Sequence, residues 1–196
     1  VSYTLIDTPI QTEKSFLKTY SFSDENLIKN SVAETLGKLN KSSRRNVGFF
    51  SNAYKGMYYY GKIQITKSQP LTPSLQTLLL LTNDTFASDC NGIIVNEYKN
   101  GKFYIEKHSD SKNHSDIGVI IISYGATRNF RVFDKISDTM VANIPLLSNS
   151  AIYMGGDFQE EFTHDIEQDL SITSPRYSFS FHKYMGLGLY DEMLSR

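Results

Sequence analysis

The four histidines of the chain are His108, His114, His164 and His182. The first opens the tripeptide His108-Ser109-Asp110, and the second repeats the pattern as His114-Ser115-Asp116. An imidazole and a carboxylate two residues apart project to one face of an extended backbone, so both can meet one metal ion from a single strand end. A second imidazole from another strand would complete a face of two histidines and one carboxylate. The opposite positions would stay open for a cosubstrate and oxygen. His164, in Phe162-Thr163-His164-Asp165, is the candidate. The tripeptide alone is a weak signal, since most such triplets lie in solvated loops, and spacing by itself does not choose between the two copies.

Residues of this kind need strands to carry them, and the second half of the chain supplies candidates. Gly92–Tyr98, Gly118–Ser123, Phe130–Phe133, Ser150–Met154 and Tyr177–Phe181 are short β-rich runs separated by Gly, Asn, Asp and Ser. The first half reads differently. Leu27, Ile28, Val32, Leu36 and Leu39 recur at helical spacing behind Ser23 or Asp24 as cap, predicting a helix over Ser23–Leu39. Thr72-Pro73 opens a second helix through Leu75, Leu78, Leu79 and Leu81. Met57–Ile65 alternates as one strand, and Lys41–Arg45 is a basic loop. Helices confined to the N-terminal half, with strands behind them, indicate an α+β fold on a β-sandwich or jelly-roll core. No linker divides the halves, so residues 1–196 are expected to form one domain, with a helix-bearing part to residue 88 and a β core over 89–185.

Composition narrows the function classes. The 196 residues carry a net charge of −1, so a protein that coats nucleic acid by charge alone is not indicated. Any nucleic-acid contact must come from a local basic patch, and Lys41, Arg44 and Arg45, with Lys55 and Lys62 nearby, are the candidates. The absence of Trp leaves Tyr, Phe or His to stack on a base. Cys90 is the single cysteine, which excludes an internal disulfide and a cysteine zinc site and suits a reducing intracellular compartment. The apolar runs are too short to cross a membrane, and Val1–Tyr20 lacks the apolar core of a signal peptide. A monomer with no membrane partner is expected.

Residues 92–182 hold a further set of segments in a characteristic order. They are Asn96-Glu97-Tyr98, the tripeptide His108-Ser109-Asp110, Ser123-Tyr124-Gly125-Ala126-Thr127-Arg128-Asn129-Phe130, Met154-Gly155 leading to His164, and Arg176-Tyr177-Ser178-Phe179-Ser180-Phe181-His182. This arrangement resembles the catalytic core of the AlkB family. The N-terminal half resembles it more faintly, through Arg45, Phe50-Ser51-Asn52 and Tyr58-Tyr59-Tyr60-Gly61. The resemblance implies a double-stranded β-helix and an Fe(II)- and 2-oxoglutarate-dependent dioxygenase that uses O2. It selects His108, Asp110 and His164 as metal ligands and leaves His114 and Asp116 in a loop. It also implies that Arg176 pairs with the distal carboxylate of 2-oxoglutarate, with Asn96, Tyr98, Ser178, Ser180 and His182 around the same molecule, and that Arg128 supports the site.

Two positions depart from the family. His182 stands where the family's last arginine supports the other end of the cosubstrate, and Lys112 stands where many members carry an acid that reads the base. The first reverts a two-pronged donor to a single hydrogen bond, and the second reverses a charge. The implied reaction is oxidative demethylation of an N-alkylated base, as in DNA repair, with single-stranded DNA or RNA favoured as partner. Tyr59 or a neighbour in Tyr58–Tyr60, Arg45 and Lys112 are the substrate-binding candidates, though the tyrosines could equally face a core. Two alternatives stay open: an oxygenase acting on a protein side chain or small molecule, and a jelly-roll binding module without turnover.

Overall fold

The computed structural model describes residues 2–60, 63–110 and 118–184, and backbone only for 59, 60 and 63–65. Lys112, His114, Asp116 and the side chain of Tyr59 therefore lie outside the described residues. Its strands are β1 (Tyr3–Gln11), β2 (Ser15–Phe22), β3 (Asn46–Phe50), β4 (Met57–Tyr60), β5 (Ile63–Gln69), β6 (Gly92–Tyr98), β7 (Ile105–His108), β8 (Val119–Gly125), β9 (Arg128–Asp134), β10 (Met140–Leu146), β11 (Ser150–Gly156), β12 (Phe162–Ile166) and β13 (Arg176–His182). Three α-helices accompany them: α1 (Glu25–Thr35), α2 (Pro73–Phe86) and α3 (Phe158–Glu161).

A large sheet runs in the order β1-β2-β11-β8-β13-β6-β3-β5-β4, and a small one in the order β10-β9-β12-β7. All pairs are antiparallel except β3 with β5. The α+β, jelly-roll expectation holds. The large sheet crosses residue 88 freely, because β2 pairs with β11 and β3 with β6.

Alternation along the central strands feeds two cores. On one face of the large sheet, Ile93, Val95, Ile120, Ile122, Phe179 and Phe181 pack with Ile28 and Val32 of α1 and Leu75, Leu78 and Leu79 of α2. On the other face, Leu17, Val119, Ile152 and Met154 meet Phe130, Val132, Ile144, Leu146, Phe162 and Ile166 from the small sheet. The period of two therefore fixes which side chains of β6, β8 and β13 look between the sheets.

Both helices start where side-chain caps are available. Asp24 accepts from the Leu27 amide at 3.0 Å, and Thr72 caps α2 with Pro73 in its first turn. The α-helix over Ser23–Leu39 is shorter than its periodicity suggests, since Leu36–Lys38 tightens to a 3-10 turn. The run Met57–Ile65 is not one strand: β4 and β5 pair with each other, Tyr60 opposite Ile63, so the chain doubles back inside it. Helices are not confined to the first half, because α3 sits between β11 and β12. No helix among the described residues is long and apolar enough to cross a membrane.

Candidate metal centre

His108 ends β7 and His164 lies in the middle of β12, and the antiparallel ladder sets these two residues opposite each other. Their rings stand 4.4 Å apart. Asp110, two residues beyond His108, turns its carboxylate back between them: Oδ1 is 3.5 Å from His108 Nε2 and Oδ2 is 3.7 Å from His164 Nε2. One ligand atom from each residue lies within 4.8 Å of the others. Donors each about 2.1 Å from a shared ion stand about 3 to 4 Å apart, so the three fit a single metal. Among the described residues these form the one such group of histidine, cysteine and carboxylate side chains.

The protonation pattern favours a cation. His108 Nδ1 lies 2.7 Å from the Glu106 carbonyl, which accepts its proton and turns Nε2 toward Asp110. His164 is buried, with Phe130 stacked on its ring at 5.0 Å. Burial, reinforced by the neighbouring His108 and opposed by Asp110, pushes its imidazole down to about 3, which keeps it neutral and able to ligate. Burial alone would raise the Asp110 carboxyl. The hydrogen bond with His108 and the nearby His164 outweigh burial and hold it well below the ordinary carboxylate range.

Across the pocket, β13 presents Arg176, Ser178, Ser180 and His182 on alternate positions, all buried. Ser178 lies opposite Asn96 of β6 and Ser123 of β8, and Arg176 lies opposite Tyr98. Arg176 Nη2 donates to Ser123 Oγ at 2.8 Å, but its Nε and Nη1 are buried with no hydrogen-bond partner among the described residues. Burial draws this guanidinium down to about 10, with Tyr98 opposing and Arg128 adding to the fall. It is still a cation at neutral pH. Leaving buried N–H groups unpaired costs about 1–3 kcal/mol each, so a guanidinium held this way favours an anion beside it. The donor set thus fits a small acid bound beside a metal.

The remaining candidates fall into place around this row. The ring of Tyr98 is packed by two guanidiniums, with Arg176 Cζ 5.1 Å and Arg128 Cζ 5.8 Å from its centroid. Asn96 accepts from Arg45 Nε at 3.0 Å and donates to Ser178 Oγ at 3.3 Å. Arg45 was expected on a surface loop facing phosphates; it is instead buried in the pocket wall, carried in by the wholly buried strand β3 that follows it. Arg44 is exposed but paired with Glu106 at 2.8 Å. Arg128 is buried at the start of β9. It donates to the carbonyls of Phe103, at 2.9 Å, and Glu167, tying two loops to β9. Tyr58 lines the pocket and packs near Phe49.

Two features escaped the sequence. Tyr184, clamped by both amide atoms of Asn91 at 2.8 Å, packs its ring beside His182 and on Phe49. Gln159 of α3 accepts a hydrogen bond from the Asp110 backbone amide at 2.8 Å. Nothing in the order of residues marks either, beyond the nearness of Gln159 to His164.

Comparison with known proteins gives three findings. The family model described as the 2OG-Fe(II) oxygenase superfamily matches residues 13–188. The Homo sapiens protein alpha-ketoglutarate-dependent dioxygenase alkB homolog 3 is 27% identical over 134 residues, covering 63% of this chain and 47% of that protein. The chain thus spans about half the length of this curated relative. The solved structure of OsALKBH1 aligns with 91% of this chain and 100% of its own, at 14% identity and a TM-score of 0.55, a likeness of fold.

Proposed function

The chain belongs to the 2OG-Fe(II) oxygenase superfamily and is AlkB-like, and on that premise we propose that it oxidatively demethylates N-alkylated bases in single-stranded DNA or RNA. Fe(II), with 2-oxoglutarate and O2, supplies the oxidation of the N-methyl carbon to a hydroxymethyl group, with succinate and CO2 as co-products, and formaldehyde then leaves the base. His108, Asp110 and His164 would hold the iron through Nε2, a carboxylate oxygen and Nε2.

Arg176 would pair with the distal carboxylate of 2-oxoglutarate, where a planar donor makes two parallel bonds. Its buried Nε and Nη1, without a hydrogen-bond partner among the described residues, on a side chain that lines the pocket, are the observation that carries this assignment. Asn96, Tyr98, Ser178 and Ser180 would surround the same acid. His182 lies six residues from Arg176, about 20 Å along an extended strand, on the side of Asp110, whose charge it helps hold. It would meet the metal-side end of the bound molecules with one hydrogen bond. The protein's part is to orient the methyl carbon and exclude water. A base taken out of its stack would lie beside His108 and Tyr58, with Tyr59 and Lys112 as further candidates.

A second substrate class has an observation of its own. With Arg44 paired and Arg45 buried, Lys41 is the exposed cation left in the basic loop, which suits a protein side chain or small molecule better than a polyanion. Turnover with a methylated oligonucleotide separates the two. Formaldehyde and succinate released in equal amounts, with binding that weakens as salt rises, support the nucleic-acid substrate. Succinate release that no methylated oligonucleotide stimulates overturns it.

A further inference from the structure

We infer that Gln159 is a positioning residue that sets the carboxylate of Asp110 for metal binding. The need arises from where β7 stops. His108 is held by the ladder opposite His164, but Ser109 and Asp110 have left the sheet, so strand pairing no longer fixes the carboxylate. Two side-chain bonds take over. Ser109 Oγ donates to the Phe162 carbonyl at 2.8 Å, and the Asp110 amide donates to Gln159 Oε1 at 2.8 Å.

The support on which Gln159 stands is firm. Phe158, beside it in α3, is 1% exposed and packs against Phe162 at 5.0 Å. Lys135 Nζ donates to the Gln159 carbonyl at 3.0 Å. The amide orientation is consistent with both neighbours: Oε1 takes the Asp110 proton, while Nε2 faces the weak acceptor Met154 Sδ at 3.7 Å. The segment from Phe158 to His164 therefore supplies one ligand directly and positions another, so the two move as one unit. Metal sites demand placement within about 0.5 Å, and outer partners of this kind typically change metal affinity by about 10- to 100-fold.

This inference rests on the metal reading of the three ligands, and one titration tests both separately. Mn(II), which reports the site without turnover, is titrated into metal-free wild type, Gln159→Met and Gln159→Glu, and the melting temperature of each metal-free protein is measured. Methionine fills similar space without an acceptor oxygen, and glutamate keeps one. We expect Gln159→Met to bind Mn(II) about tenfold more weakly, Gln159→Glu to recover most of that loss, and the melting temperatures to agree. Wild type that binds no Mn(II) overturns the metal reading itself. Wild type that binds while Gln159→Met binds equally well overturns the role of Gln159 alone. So does a loss that glutamate does not recover, or one matched by a parallel fall in melting temperature. If Gln159→Met does not fold, Gln159→Ser, too short to reach Asp110, takes its place with the same outcomes.

Discussion

The two sheets that face each other across the pocket position their polar residues by different means. The large sheet does it by register: Arg176, Ser178, Ser180 and His182 share a face because a strand has period two, and β6 and β8 lock that strand on both sides. The small sheet does it by tethers: one cross-strand pair brings His108 to His164, and the backbone at Ser109 and Asp110, past the end of β7, is held by two side-chain hydrogen bonds. A site held by register resists local change but fails together if the strand moves. A site held by tethers can lose one ligand while the fold persists.

The strongest break of the comparison is on the small sheet. Asp110→Ala or His164→Ala should remove Fe(II) binding and cost about three orders of magnitude or more in turnover, read as succinate release, while the fold survives. Next comes the anchor of the large sheet. Arg176→Met should weaken 2-oxoglutarate by about 100-fold, from the loss of two charge-assisted bonds, and leave Mn(II) affinity unchanged. Calorimetry on both ligands checks this, and the metal-free protein should melt no lower, since two unpaired buried donors disappear with the arginine.

Moving the strand itself should reach further than removing one residue's charge. Gly125 sits at φ +93°, and a Cβ there would come within 2.4 Å of the Pro175 carbonyl, just before Arg176. Gly125→Ala should cost about 2 kcal/mol of stability and weaken 2-oxoglutarate more than Mn(II). Equal weakening of both would dissolve the distinction between the sheets.

The smallest effect is on acid stability. His164 titrates near 3 in the folded protein and about 6.5 when unfolded. Between those values the unfolded chain binds more protons, so stability falls as pH drops below about 6.5. Urea unfolding of the metal-free protein should show a loss of about 1 kcal/mol from this group by pH 5.5, absent in His164→Gln.

Legibility in the sequence followed the same division. The triad and the row on β13 could be read because their chemistry restricts residue type, and because β12 and β13 are buried along most of their length. Among the missed strands, two are edges with a visible cause. β1 and β10 end their sheets, leave Leu5, Ile6, Met140 and Val141 exposed, and carry register shifts or, in β10, Pro145, so they show no clean alternation. β4 and β5 merged into one apparent strand because the alternation runs through Gly61, the only turn signal between them. Arg45 looked like loop because its neighbours are polar; its burial is decided by the strand after it. Gln159 was invisible because its role depends on a contact 49 positions away in the chain.

The central claim is that the tethered triad and the registered arginine bind one Fe(II)–2-oxoglutarate pair. It is tested most directly by anaerobic titration with both, following the weak visible charge-transfer band of the chelated complex. The account predicts a band in wild type, none in Asp110→Ala, and in Arg176→Met a band that needs about 100-fold more 2-oxoglutarate. A band that persists in Asp110→Ala, or wild type that forms none while binding Fe(II), would contradict it.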